Sequence, residues 1–131
     1  MPKLTQQMKD LIASQQCYVA TVTADGTPNV GPKRSTRVLD EEHLCFVEGT
    51  GKLTWLNVQR GSTLAIAVAD REKLTGFRFV GKAELVTSGE LYDQAVAQAK
   101  QRSMPAPKAV VKMKVEKIFN LGMPGAGELI G

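Results

Sequence analysis

The sequence predicts an α+β fold: a small, mostly antiparallel six-stranded β-barrel with helices at its edge. Three observations carry this expectation. Short segments rich in β-branched and alternating apolar residues follow one another from Cys17 to Leu85. Turn residues separate them, Asp25-Gly26 most plainly, where glycine tolerates the positive φ of a hairpin. Helical periodicity is confined to a segment before the strands and another before the last one.

The first helix spans 5–15 within an N-terminal segment 1–15: Leu4, Met8, Leu11 and Ile12 recur at helical spacing, and Thr5 can cap the start. Cys17–Ala24 suits a strand, and Thr27–Val30 its return. Gly31-Pro32 breaks that return strand, which points to a bulge or an edge position, and Arg37–Leu39 resumes it before an acidic turn at 40–42. His43–Glu48 is a short strand apolar on both faces, and Thr54–Arg60 makes one or two helical turns ending at Gly61. In Thr63–Ala69, Leu64, Ile66 and Val68 alternate with Ala65, Ala67 and Ala69. The alanine face lets a second layer approach closely, as in a barrel wall or a subunit contact. Residues 77–85 form a half-buried strand, and Thr87 to Glu90 has the spacing of a capping box that opens a helix reaching about Arg102. A last strand turns Val111, Met113 and Val115 inward, and 121–131 reads as a flexible, glycine-rich tail.

At 131 residues the chain is expected to be one domain, and 43% hydrophobic with 23% charged residues excludes disorder, collagen and coiled coil. The longest apolar run, Leu64–Ala69, falls far short of the roughly 20 residues that span a bilayer. Lys3 and Lys9 are followed by Asp10 and not by an apolar stretch, so no secretory signal is read and a cytoplasmic location is expected. Cys17 and Cys45 support neither a disulfide framework nor a zinc site, and with one histidine, His43, no metal site is expected.

The net charge of +4 is unevenly spread: Lys33, Arg34 and Arg37 fall within five residues, and six bases lie in 100–117 against Glu116 alone. Such a balance attracts anions: nucleic acid, acidic surfaces or a phosphate-bearing ligand. Aromatic content of 5% and the lack of a helix-turn-helix or zinc-finger pattern make nucleic acid the weaker choice. Gly49, Thr50, Gly51 and Lys52 imitate a P-loop, but Phe46 stands where its first glycine belongs and Leu53 where Ser or Thr should bind magnesium. What survives is a glycine-rich loop with one cation, followed by Thr54 at a helix start. If neighbouring barrel strands bring this loop beside the basic segment, then Lys33, Arg34, Ser35, Lys52 and Thr54 converge on one phosphate dianion.

In order and spacing the chain resembles the pyridoxamine 5′-phosphate oxidase-like split-barrel family, its small FMN-binding proteins in particular. The match runs through Asp25–Val30, Pro32-Lys33, Arg37–Asp40, Lys52, Thr54–Val58, Ala67–Asp70, Thr75–Ala83 and the helix from Gly89, covering roughly residues 5–120. The resemblance implies a split-barrel homodimer with non-covalent FMN at the subunit contact. Lys33, Arg34, Ser35, Lys52, Thr54 and Asn57 would hold the phosphate. Two departures stand out: Leu53 separates Lys52 from Thr54, and the Arg-x-His that grips substrate in true pyridoxamine-phosphate oxidases is missing. The expected role is electron transfer between a small-molecule or protein donor and an acceptor, through a flavin whose chemistry needs no general acid or base from this chain. The alternatives are a non-catalytic module for flavin, deazaflavin or haem, with haem disfavoured by the single histidine, and, last, a nucleic-acid binder.

Overall fold

A computed structural model describes residues 2–131. Its elements run α1 (Gln6–Ser14), β1 (Cys17–Val22), β2 (Pro28–Pro32), β3 (Arg37–Asp40), β4 (His43–Glu48), α2 (Leu53–Gln59), β5 (Leu64–Asp70), β6 (Thr75–Val86), α3 (Glu90–Gln101) and β7 (Ala109–Asn120). All strand pairs are antiparallel, in one sheet of order β2-β1-β5-β6-β7-β4-β3. The α+β reading holds, with seven strands where six are expected.

The extra strand explains the barrel. The chain does not resume one interrupted return strand after Gly31-Pro32. It leaves β2 at one edge of the sheet and enters β3 at the other. Only residues 33–36 lie between, and Thr36 N–H closes them into a turn on the Lys33 carbonyl at 3.1 Å. Two edges joined by one tight turn stand side by side, so the sheet is rolled into a barrel with a seam between β2 and β3. Pro28 and Pro32 lack the N–H that a central strand would need, which suits β2 to this edge.

Closure also needs a bend in the long strands. β6 and β7 pair over ten positions, and their register shifts between Val80 and Gly81. A Cβ on Gly81 would lie 1.9 Å from the Lys114 carbonyl oxygen, so the two backbones meet where only glycine fits. Inside, Leu44, Phe46, Leu64, Ile66, Val68, Phe79, Val111, Met113 and Val115 fill the barrel. Met8, Leu11 and Ile12 of α1 join that core, behind a capping box in which Thr5 accepts from Met8 N–H. Outside, α3 packs Leu91 and Ala95 on Cys45, Val47, Val86 and Val110.

Two expectations are corrected. The box at Thr87–Glu90 does not form: the helix is capped by Gly89 at φ +91°, a left-handed conformation that glycine supplies and that starts the helix beyond reach of Thr87. Nor is 121–131 loose. It folds back on β7, where Ile118 and Asn120 exchange backbone hydrogen bonds with Ile130, Gly131 and Glu128, and Phe119 bridges Leu129. No helix of the described residues is long and apolar enough to cross a membrane.

Candidate functional site

The seam turn is tied down on both sides. Lys33 N–H donates to the Cys17 carbonyl at 3.1 Å, and Ser35 Oγ accepts from Val47 N–H at 2.9 Å. Between this turn, the end of α1, β4 and the overhanging α3 lies a cavity of about 650 Å³. Lys33, Arg34 and Arg37 enter it from the seam, Arg102 from the end of α3, and no acid lines it. Arg34, Arg37 and Arg102 make no ion pair among the described residues. The apolar wall includes Phe46, Val47, Val110 and both cysteines. Burial pushes the Cys17 thiol up to about 11. Burial also raises Cys45, against the opposing pull of Arg37 and Lys112. Both thiols are therefore protonated and poorly nucleophilic at neutral pH.

The fourth cation is differently placed. Lys33 Nζ stands 3.0 Å from Glu48 Oε1, with Glu48 wholly buried at the end of β4. Glu48 Oε2 accepts three further hydrogen bonds, each 3.0 Å, from Thr50 N–H, Thr50 hydroxyl and Gly51 N–H. Burial alone would raise this carboxyl. The Lys33 contact with the Gly51 and Thr50 donors outweighs it and holds Glu48 below the usual carboxylate range.

The α2 segment forms a second cluster. Thr21 Oγ1, buried in β1, accepts from Asn57 Nδ2 at 2.9 Å and from Asn29 Nδ2 at 3.2 Å. Asn29 also reaches Thr54 Oγ1 at 3.3 Å, and Arg60 donates to Asn57 Oδ1 at 2.6 Å. These bonds fasten α2 across the β1–β2 hairpin.

The two segments singled out in the sequence therefore meet, through Lys33–Glu48 and through Asn29–Thr54. Their six named residues do not share one surface. Lys33, Arg34 and Ser35 line the cavity, while Lys52, Thr54 and Asn57 do not. Lys52 is exposed, and only its backbone is bonded: its N–H donates to Thr50 Oγ1 at 3.4 Å and its carbonyl accepts from Leu56 N–H at 3.0 Å. Thr54 is half-buried, and the Asn57 side chain is fully buried between Thr21 and Arg60. Sequence reasoning missed Arg37 and Arg102, which the fold brings to the cavity from separate elements, and Glu48, an acid ending an otherwise apolar strand. His43 lies apart, at the β3–β4 turn, 2.8 Å from Asp40.

Barrel and seam define a split-barrel protein, and its cleft is lined by Lys33, Arg34, Arg37 and Arg102. The family model described as pyridoxamine 5′-phosphate oxidase matches residues 4–122, and the chain belongs to that family. It is similar to HupZ of Group A Streptococcus, with 48% identity, a TM-score of 0.85, and coverage of 95% of this chain and 98% of that one. A candidate pyridoxamine 5′-phosphate oxidase from Lactobacillus delbrueckii is 35% identical, with a TM-score of 0.77 and coverage of 91% and 99%. Two further structures share the fold alone. An FMN-binding protein of Syntrophomonas wolfei has 15% identity, a TM-score of 0.70 and coverage of 88% and 84%. An F420 reductase has 19% identity, a TM-score of 0.68 and coverage of 88% and 98%.

Proposed function

We propose that this protein binds FMN without a covalent link, with the phosphate held in the seam cavity, and that it transfers electrons between a donor and an acceptor. The observation that carries the reading is the cavity itself: three arginines without acidic partners beside an apolar wall. The donor set fits a phosphate dianion, since arginine offers forked, permanently charged donors and Ser35 a hydroxyl. The volume lies within the usual range for cofactor sites, and the Val47 and Val110 side suits the apolar part of a flavin. Bound flavin would supply the redox chemistry, while this chain binds, orients and excludes water. The lining supports that division: its arginines are permanent cations and its thiols are held in the protonated form.

Pairing of two copies is part of the proposal. On the outer face of the sheet Val30 lies opposite Ala20, Ala20 opposite Ala65, and Ala65 opposite Val80. Tyr18, Val22 and Val30 are exposed on that side. An apolar face floored with alanines suits close contact with a second sheet. Sedimentation is expected to give a dimer of the 14.2 kDa chain.

Titration with FMN, followed by fluorescence quenching and the visible spectrum, tests the central claim. Micromolar binding is expected, with FMN at least about tenfold tighter than riboflavin, the worth of roughly one charge-assisted bond. No binding at micromolar concentrations overturns it, and equal affinity for the two flavins removes the phosphate assignment. A parallel titration with F420 separates FMN from the deazaflavin. Reduction by NADH or NADPH with an added acceptor distinguishes turnover from simple binding.

A further inference from the structure

Glu48 is the one acid among the fully buried described residues. Carboxylates are almost never buried this way unless paired, and Glu48 is saturated: one oxygen takes Lys33, the other takes Thr50 twice and Gly51 once. Its backbone carbonyl, in turn, accepts from Lys108 N–H at 2.9 Å, anchoring the same point to the start of β7. Lys33 thus has two neighbours competing for one charge. Its side chain borders the cavity, where a phosphate would attract it, yet its ammonium is neutralised from behind by a carboxylate that has no route to solvent.

We propose that Glu48 is a positioning residue that sets the anion selectivity of the cavity. It folds the 49–51 loop and draws the Lys33 ammonium away from the ligand, leaving Arg34, Arg37 and Arg102 to hold the anionic head group. A site with four free cations would favour the most highly charged anions. Neutralising one of them favours an ester phosphate carried on an apolar body over free polyanions such as pyrophosphate. The ligand half of this inference rests on the flavin reading. The half concerning Lys33 does not.

The first test needs neither mutation nor ligand. Acetylation of the folded protein with a small amine-reactive ester, read residue by residue by mass spectrometry, should modify Lys33 at least about tenfold more slowly than exposed Lys52. Comparable rates overturn the proposal. In Glu48→Gln, which keeps an acceptor for the loop but removes the charge, Lys33 should approach the Lys52 rate. If it stays protected in a folded variant, the proposal fails. The second test uses pyrophosphate, its affinity measured by isothermal titration calorimetry, beside FMN. Glu48→Gln should tighten pyrophosphate about tenfold, and adding Lys33→Met should abolish that gain. An unchanged affinity, or a gain that survives the second substitution, overturns the selectivity role. If pyrophosphate follows this pattern while FMN does not bind, the flavin reading fails and the role of Glu48 stands. If neither ligand binds wild type or Glu48→Gln, the selectivity role falls with the anion site.

Discussion

The seam turn and the α2 segment look alike in the sequence, each a short polar stretch with a lysine and hydroxyls, yet the fold uses them in opposite ways. Around the turn, Arg34, Arg37 and Arg102 face a cavity with no acid to answer them. Around α2, Asn57, Thr54, Asn29 and Thr21 spend their polar atoms on each other. The first arrangement leaves binding capacity unused, while the second converts it into the fastening of a helix to a barrel. Polar residue types alone do not mark a ligand site. What marks one is polar atoms that the protein leaves without partners.

Lys33 lies on the boundary, and its removal should have the largest effect on stability. Lys33→Met leaves the Glu48 carboxylate buried without its counter-charge, which typically costs about 3–5 kcal/mol. Urea unfolding at neutral pH reads this directly, and a loss below about 1 kcal/mol would show that the pair is not a true buried bridge. The pH dependence has a definite sign. The carboxyl of Glu48 is lowered in the folded protein, so the stability it contributes is complete above the ordinary carboxylate pKa and is lost as pH falls through the lowered folded value. The gap between wild type and Lys33→Met should therefore narrow on acidification, because a protonated Glu48 needs no cation.

Next in size is Asn57→Ala. It removes the shorter of the two hydrogen bonds to the buried Thr21 hydroxyl, leaving Asn29 alone, and releases the exposed Arg60 to solvent, at about 1–2 kcal/mol. The unfolding midpoint should move far more than the preference of the protein for FMN over riboflavin. A drop in that preference as large as the one caused by an arginine substitution would return Asn57 to the ligand site.

Much of the barrel was legible. The alternation of Leu64, Ile66 and Val68 with Ala65, Ala67 and Ala69 states a strand's period within one segment, and Asp25-Gly26 states its turn locally. The separation of β2 from β3 was not legible, because it depends on which distant strands each one pairs with. Gly31-Pro32 looks the same whether a strand pauses or changes edge. The tail failed for a related reason: its backbone partners, Ile118 and Asn120, belong to β7. In the site, the basic run at 33–37 was visible as composition. Arg102 becomes part of the cavity only when α3 is laid over β4. Glu48 did carry a signal, as an acid closing an apolar strand just before two glycines, the pattern of a carboxylate that collects loop N–H groups.

On the cavity side, Arg34→Ala and Arg37→Ala should each weaken FMN about tenfold or more and riboflavin much less, the usual worth of a hydrogen bond to a charged group. Their unfolding free energies should stay within about 0.5 kcal/mol of wild type, as exposed side chains without protein partners allow. Flavin titration and urea melts on the same samples check both halves. If Arg37→Ala lowers stability and leaves FMN preference intact, Arg37 belongs with the α2 side of the comparison.

The smallest effect separates the two segments most finely. Lys52 follows a loop whose N–H groups converge on Glu48, and its exposed side chain lies outside the cavity lining. At that position its charge acts on a bound phosphate through solvent, where the Debye length is about 8 Å at physiological ionic strength. Lys52→Ala should therefore weaken FMN by no more than about threefold in low salt, with the difference vanishing near 0.5 M salt as the screening length shortens. A direct grip would behave otherwise: the loss would be tenfold or larger and would persist in high salt, because a contact bond is not screened across bulk water. A salt series on this one variant thus decides whether the glycine-rich loop touches the ligand, as its likeness to a phosphate-binding loop suggests, or serves through Glu48 to hold the seam in place.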